Sequence, residues 1–193
     1  MLAGGDTPRS IYRSLRDTDS DWSRWHVYFG DERCLPADNP ERNSRMAADA
    51  WLDRVSIPKD HIYVPPAERG ADAAARAYAQ TLRRVGDFDL VVLGLGEDGH
   101  TASLFPCHDW GVASNSPDVL AVFDAPKPPP QRVSLSAARL SRARAVLFLV
   151  AGETKLEAVR QWRLSADIPA RAIRPCSGVD VLVQSTLLPA GVG

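Results

Sequence analysis

The chain has 193 residues, of which 45% are hydrophobic and 24% charged, as expected for a globular protein with a buried core. Its formal net charge of −1 excludes the strong basic field that holds nucleic acid or an anionic membrane, so an anionic ligand needs a local site. No run approaches the roughly 18 apolar residues of a membrane span, and three widely separated cysteines predict reduced thiols in a cytoplasmic protein.

The predicted elements alternate between strands and helices. Met1–Ala3 has the pattern of the end of a buried strand, and six further runs rich in β-branched or aromatic residues predict strands at 25–29, 88–95, 119–123, 132–136, 144–150 and 179–183. Helices are predicted at 8–15, 43–55, 70–85 and 153–164. Because 90–95 and 145–150 are apolar at consecutive positions, we expect an α/β fold over 1–193: one domain with a mostly parallel sheet flanked by helices.

Two of the predicted helices carry apolar stripes that should face the sheet. Residues spaced by three or four positions define each stripe. The stripe residues are Ala74, Ala77, Tyr78 and Leu82 in the third helix, and Leu156, Val159 and Leu164 in the fourth.

The first polar cluster is Gly4-Gly5-Asp6-Thr7-Pro8-Arg9, at the start of the first helix. Two glycines let the backbone approach a ligand, Asp6 or Thr7 can cap the helix, and Pro8 suits its first turn. The unpaired N–H groups at such a helix start attract an anion. An ordinary loop with a capped helix has the same composition, so this cluster alone does not decide.

The second cluster, Gly30-Asp31-Glu32-Arg33, follows the strand 25–29. Charged side chains at the carboxyl end of a strand lie where open α/β sheets bind ligands. Arg33 can form two hydrogen bonds with a phosphate or carboxylate, and Asp31 or Glu32 can orient it. A solvated acidic turn with a surface ion pair is an equally good interpretation.

The third cluster is GEDGHTASLFP at 96–106, directly after the apolar strand 88–95. An imidazole, with a typical pKa of about 6.5, can take and return a proton near neutral pH, which suits His100 to proton transfer. Asp98, two residues away, can fix its tautomer, and Thr101 is predicted to cap a helix that begins near Ala102. The GxGxxG at 94–99 leads into His-Thr rather than a long helix, which argues against a dinucleotide site, and no GxSxG is present to indicate a serine hydrolase.

The fourth cluster combines Arg132, at the start of the strand 132–136, with Gly152-Glu153-Thr154-Lys155 after the strand 144–150. A cation in the first turn of a helix opposes the helix dipole. A bound anion would offset this unfavourable interaction and explain the position of Lys155. The alternative interpretation is an ordinary surface lysine.

All four clusters are predicted at strand-to-helix junctions, on one edge of a parallel sheet, so they should share one crevice. Backbone N–H groups, cations and an acid–histidine pair there fit a small, strongly anionic, phosphorylated ligand that needs proton transfer. His26, His61 and the Cys107-His108 pair are predicted to be structural. Four scattered histidines give no metal-ligand spacing, so no metal is expected.

The segments LAGGDTPR, FGDERCLP, LGLGEDGHTASLFP, PPPQRVSLS and VAGETK resemble, in this order, signature segments of the 6-phosphogluconolactonases. The resemblance runs from Leu2 to about Val183. It implies a Rossmann-like fold of the glucosamine-6-phosphate deaminase/ribose-5-phosphate isomerase type. It also implies hydrolysis of 6-phospho-D-glucono-1,5-lactone to 6-phosphogluconate in the oxidative pentose phosphate pathway. The implied partner is this small phosphorylated sugar lactone, with no cofactor, no nucleic acid and no membrane, in a monomer or weak homodimer.

The resemblance further implies a role for each matching residue. Phosphate would be held by the anion loop, which is Gly4, Gly5, Asp6 and Thr7, together with Arg33, Arg132 and Lys155. His100 would be the general base, and Asp98 would either orient it or contact the substrate. Asn43 matches an asparagine that follows the DER segment in the family.

The chain departs from the family pattern at three points. Asp6 stands where a serine is common, and its carboxylate would repel a phosphate unless it turned away to cap the helix. Arg42 stands where a serine commonly precedes Asn43. Family members usually begin earlier, so we expect the sheet to lack its first strand and helix. Two alternatives stay open: a sugar-phosphate isomerase or deaminase of the same fold, and an inactive sugar-phosphate-binding fragment.

Overall fold

The structure is a computed structural model that describes residues 1–189; residues 190–193 of the predicted domain lie outside it. Its helices are α1 (Asp6–Ser14), α2 (Asn43–Ala50), α3 (Ala71–Leu82), α4 (Ala137–Ser141) and α5 (Leu156–Arg163). Its strands are β1 (Val27–Tyr28), β2 (Asp31–Arg33), β3 (Ile62–Tyr63), β4 (Phe88–Gly94), β5 (Val119–Val122), β6 (Arg132–Leu135), β7 (Ala143–Val150) and β8 (Asp180–Val183). Within 1–189, none of these helices is long and apolar enough to cross a membrane.

The main sheet is parallel, and the segment 1–3 joins its two halves. β1 pairs with β3 on one side, while β4 pairs with β7 and β7 with β8 on the other. The Leu2 N–H donates to the Tyr28 carbonyl at 2.7 Å, and the Met1 carbonyl accepts the Val92 N–H at 3.1 Å. The order is therefore β3, β1, segment 1–3, β4, β7, β8. This confirms the predicted mostly parallel sheet and the buried strand end at 1–3.

A smaller antiparallel sheet, in the order β2-β6-β5, stands beside the carboxyl ends of β1 and β4. The chain leaves β1 at Gly30, whose carbonyl accepts the Leu135 N–H at 2.7 Å, and continues directly into β2. Arg33 then pairs with Arg132 across the β2–β6 ladder. The predicted strands 119–123 and 132–136 therefore form, but in this second sheet, and 31–33 is a strand rather than a loop.

Helix α3 buries the predicted stripe, whereas α5 does not. Ala74, Tyr78 and Leu82 are buried and Ala77 is half-buried, as expected for an Ala-rich helix on a sheet.

In α5 the buried residues are Ala158 and Val159, and the Trp162 ring packs edge-on against Phe148 at a centroid distance of 4.6 Å. Leu156 is 55% and Leu164 71% exposed. The predicted stripe is wrong at both ends because 153–155 forms a separate 3₁₀ turn and α5 ends at Arg163.

Candidate active site

A cavity of about 460 Å³ opens where the two sheets meet. The predicted site residues that line it are His100, Gly4, Gly5, Asp6, Thr7, Arg33, Arg132 and Lys155. Asp98 is absent from this lining and lies behind His100. The clusters thus meet at one crevice, although the expectation that all lie at strand-to-helix junctions is wrong. Arg33 and Arg132 reach the cavity from the paired strands β2 and β6.

The Asp98 carboxylate and the His100 imidazole form a hydrogen-bonded pair. Nδ1 of the ring lies 2.5 Å from Oδ1 of Asp98, and the same oxygen accepts the His100 backbone N–H at 3.1 Å. Burial opposes ionisation of Asp98, but the hydrogen bond and charge of His100 outweigh it and lower the pKa of Asp98 to about 2. An ionised carboxylate only accepts hydrogen bonds, so Nδ1 carries the proton and Nε2 is left as the basic nitrogen.

The loop after β4 fixes the ring position through close backbone contacts. The Gly96 N–H donates to the His100 carbonyl at 2.7 Å, and a Cβ at Gly96 would lie only 2.0 Å from Nδ1 of His100. Thr101 Oγ1 donates to the Gly94 carbonyl at 2.9 Å. The predicted helix near Ala102 is absent from the described chain, because residues 101–104 form a tight turn closed by a Thr101–Leu104 bridge. Thr101 therefore ties the loop to the end of β4.

The anion loop runs from the end of segment 1–3 into α1. Gly4 passes so close to Asn43 that a Cβ at position 4 would lie 1.9 Å from Oδ1 of Asn43, which restricts this position to glycine. Asp6 does not cap α1: its side chain is 93% exposed and pairs with Arg9 at 2.9 Å. The start of α1 therefore has no side-chain cap, and residues 4–8 line the cavity.

A buried carboxylate, Glu32, holds the start of α2. Its Oε1 accepts the backbone N–H groups of Arg33 at 2.8 Å and Asn43 at 2.7 Å, and its Oε2 accepts that of Ser44 at 2.8 Å. Nε of Arg42 lies 3.4 Å from Oε2. Glu32 thus serves as a remote helix cap and fixes the backbone of Arg33 rather than its guanidinium, which the sequence alone did not indicate.

Asp31 connects three elements beneath the cavity. Its side chain accepts from Nδ2 of Asn43 at 2.9 Å and from Oγ of Ser103 at 2.6 Å. Asp31 is buried yet lines the cavity. The role of Ser103 was missed because a serine between alanine and leucine carries no signal for a partner 72 positions away.

The two arginines and the lysine are held differently. Arg132 is buried; its Nε donates to the Pro129 carbonyl at 3.1 Å, its Nη2 to the Lys127 carbonyl at 2.9 Å, and its guanidinium lies 5.5 Å from the Phe105 ring centroid. Burial lowers the pKa of Arg132, although the group stays charged at neutral pH. Nη1 of Arg33 donates to the backbone carbonyl of Glu41, in the segment that leads into α2. Lys155 makes no ion pair within 1–189, so its ammonium is available to a ligand.

The residues predicted to be structural lie away from the cavity. His26 and His61 stack on each other with ring centroids 3.9 Å apart. His108 lies beside the exposed Cys107, and its Nδ1 is 2.9 Å from the Pro106 carbonyl. In the described part of the chain, no three His, Cys, Asp or Glu side chains are grouped so that they could share a metal ion.

Comparison with known proteins gives one consistent result. A family profile described as glucosamine-6-phosphate isomerases/6-phosphogluconolactonase matches residues 1–182. The chain is 37% identical to a 6-phosphogluconolactonase of Mycobacterium leprae (88% of this chain, 75% of that protein) and 38% identical to one of Synechocystis (90% and 76%). The solved 6-phosphogluconolactonase of Thermotoga maritima superposes with a TM-score of 0.87 at 28% identity, covering 94% of this chain and 83% of that one.

Proposed function

The chain belongs to the family of glucosamine-6-phosphate isomerases and 6-phosphogluconolactonases, and we propose that it hydrolyses 6-phospho-D-glucono-1,5-lactone to 6-phosphogluconate. This reaction belongs to the oxidative pentose phosphate pathway. The observation that carries the proposal is the Asp98–His100 pair at the wall of a cavity that also contains the anion loop. A basic imidazole nitrogen facing an anion site suits the activation of water beside a phosphorylated lactone.

In the proposed reaction, Nε2 of His100 removes a proton from a water molecule whose oxygen attacks the lactone carbonyl carbon. The tetrahedral oxyanion collapses, the bond between the carbonyl carbon and the ring oxygen breaks, and His100 returns its proton to that oxygen. Asp98 keeps Nδ1 protonated and stabilises the imidazolium while it exists. We infer that Asp98 orients the base rather than binding the substrate, since its carboxylate is hydrogen-bonded to Nδ1 of His100 and it is not among the residues that line the cavity.

We assign phosphate binding to Gly4, Gly5 and Thr7 of the anion loop, whose N–H groups stand at the uncapped start of α1. Asp6 belongs to this loop, but its carboxylate points to Arg9 and leaves the phosphate position free. Remote binding of the phosphate positions the lactone and so contributes to rate as well as affinity.

Three cations complete the proposed binding site. Arg33, Arg132 and Lys155 line the same cavity as the anion loop. Arg132 is the most rigid of the three because backbone carbonyls hold two of its nitrogens. Arg33 and Lys155 are therefore the cations that we expect to adjust to the ligand.

The proposed setting follows from properties of the rest of the chain. All three cysteines are free thiols, which supports a reducing compartment, and we assign the reaction to the cytoplasm. The outer strand β8 exposes Val181 and Leu182 on opposite faces of the sheet, and such isolated apolar side chains support a monomer or a weak homodimer.

The test is turnover of fresh 6-phosphogluconolactone by the wild type, His100→Ala and His108→Ala. We expect His100→Ala to lower kcat by about 10²–10⁴-fold, with 6-phosphogluconate affinity within about twofold, because the ring moves protons and does not bind the phosphate. His108→Ala, which removes a ring outside the cavity, should behave as wild type. Unchanged lactone turnover in His100→Ala would refute the assignment of the base. Ammonia release or isomer formation from 6-phosphosugars would favour the deaminase or isomerase alternative.

A further inference from the structure

Two buried tyrosines make the same unusual contact with the ends of two neighbouring strand segments. The hydroxyl of Tyr12, on α1, accepts the Ala3 N–H at 2.9 Å and donates to the Ala3 carbonyl at 2.9 Å. The hydroxyl of Tyr78, on α3, accepts the Phe29 N–H at 3.0 Å and donates to the Phe29 carbonyl at 3.1 Å. In each case one side chain satisfies both polar groups of a single buried residue.

A phenol suits this contact because its oxygen offers one proton and two lone pairs. In a sheet, such N–H and carbonyl groups bond to the next strand, and a buried one left unpaired is costly. Tyr12 and Tyr78 replace that missing strand, since both side chains are almost fully buried, at 2% and 1% exposure. Burial also raises the pKa of both phenols, so each keeps the proton that it donates.

The two clamped residues directly precede the polar segments of the site. Ala3 is followed by Gly4 of the anion loop, and Phe29 is followed by Gly30 and then by Asp31. Gly4 and Asp31 both line the cavity. The strands thus separate at the point where the cavity opens, and the hydroxyls hold the separated backbones.

The two contacts support different parts of the site. Tyr12 lies on α1, nine positions after Ala3, and its bond to Ala3 closes a short loop that contains the anion loop. It therefore fixes the anion loop between the end of segment 1–3 and α1. Tyr78 fixes the residue before β2, where Asp31 accepts the hydroxyl of Ser103 in the loop that carries His100.

We propose that Tyr12 and Tyr78 are positioning residues whose hydroxyls hold, respectively, the anion loop and the backbone that supports the catalytic loop, residues 96–105 with His100. The proposal deepens the proposed function and rests on it for the identity of the substrate. Ring packing does not explain the hydroxyls, since phenylalanine would fill the same space: the Tyr12 ring packs on Trp51 at a centroid distance of 6.0 Å.

The test compares Tyr12→Phe and Tyr78→Phe on 6-phosphogluconolactone and on unphosphorylated glucono-1,5-lactone. We expect Tyr12→Phe to raise KM for the phosphorylated lactone about tenfold, with kcat and the reaction of the unphosphorylated lactone within about twofold, because only phosphate binding is loosened. Tyr78→Phe should lower kcat/KM for both lactones by a similar factor of about ten, because its effect passes to the catalytic loop.

Tyr63→Phe is the matched control, since that hydroxyl contacts Nδ1 of His26 at 3.3 Å and no residue of the cavity lining. If Tyr12→Phe lowered kcat/KM equally for both lactones, or for neither, the proposed role of Tyr12 would be overturned. If Tyr78→Phe lowered kcat/KM only for the phosphorylated lactone, or for neither lactone, the proposed role of Tyr78 would be overturned.

Calorimetric binding of 6-phosphogluconate separates this proposal from the proposed function. A wild type that binds 6-phosphogluconate but does not hydrolyse the lactone would refute the function, while weaker binding by Tyr12→Phe would still support the positioning role. If a variant does not fold, amide exchange of the wild type decides. Protection of the Ala3 and Phe29 amides that increases with bound 6-phosphogluconate supports the proposal, and unprotected amides would refute it.

Discussion

At the scale of single residues, the site depends on a close approach between the backbone of Gly96 and the side chain of His100. The imidazole of His100 lies against Gly96 on one side and pairs with Asp98 through the same nitrogen. Neither contact leaves room for the ring to shift. The imidazole is therefore held in one orientation before a ligand binds, as the proposed proton transfer requires.

Replacing Gly96 with alanine should displace the imidazole. The new Cβ would lie 2.0 Å from Nδ1 of His100, so the ring must move and lose its bond to Asp98. We expect kcat to fall about 100-fold with little change in melting temperature, measured by lactone turnover and thermal unfolding. Gly86→Ala is the control, since nothing lies within 4 Å of its Cβ position. Equal turnover of the two variants would contradict this account.

The Asp98–His100 pair should also give stability a defined dependence on pH. The folded-state pKa of Asp98 is lowered from 3.8 to about 2. The stabilisation of the fold by ionised Asp98 is therefore fully present above about pH 3.8 and is lost as pH falls through about 2. We expect the free energy of unfolding, measured with urea, to differ between wild type and Asp98→Asn by a constant amount from neutral pH to about pH 5. The difference should become smaller below about pH 4. A difference that grows as pH falls would be inconsistent with the pair. Asp89→Asn, which removes an exposed carboxylate paired with Arg144, should show little difference at any pH.

At the scale of elements, helix α2 is tied to the site by a charge that comes from another element. Glu32 of β2 takes the place of a capping side chain, and Arg42, at the position before the helix, balances its charge. Arg42 also contacts Glu68 at 3.0 Å. The departure from the family pattern at position 42 is therefore part of a buried ion network that fixes Asn43.

Glu32→Gln should destabilise the fold by about 2–4 kcal/mol, because it leaves Arg42 without its buried partner and turns an acceptor into a donor that faces N–H groups. Urea unfolding measures the loss. Glu41→Gln, an exposed carboxyl in the same segment, should stay within about 0.5 kcal/mol of wild type. Similar losses for the two variants would show that Glu32 does not act as a buried cap.

The same elements show which parts of the structure the sequence could predict. The apolar runs that became β4 and β7 and the loop with His100 carry their information locally, in consecutive residues. The pairing of β2 with β6 does not, because it depends on segments far apart in the chain.

The contacts within the site were harder to predict than its residue types. The sequence predicts only that Asp31 or Glu32 could orient Arg33, whereas the bonds of Asp31 to Asn43 and Ser103 arise when three elements meet. The failed stripe of α5 has a simpler cause: helical spacing does not reveal where a helix ends, and Leu164 lies one residue beyond.

At the scale of the whole molecule, residues of both sheets line the cavity. The main sheet contributes the anion loop and the loop with His100, and the small sheet contributes Arg33 and Arg132. A ligand that contacts both should therefore stabilise the entire fold and not just one loop.

We expect 6-phosphogluconate at about 100 times its Kd to stabilise the protein by about 2.7 kcal/mol and to raise Tm by roughly 5–10 °C in a single transition. Gluconate at the same concentration, which lacks the phosphate, should raise Tm far less. Thermal unfolding followed by circular dichroism measures both shifts. Equal shifts with the two ligands would contradict the assignment of the phosphate to the anion loop.

The anion loop and the histidine loop occupy separate stretches of the chain, 4–7 and 96–105, and meet only in space. Mutation can therefore alter one while the other is inherited intact. A descendant that replaced the histidine loop would keep its hold on phosphorylated sugars while acquiring a different reaction. In evolutionary terms, phosphate recognition and the reaction that is catalysed can change independently on the same parallel sheet.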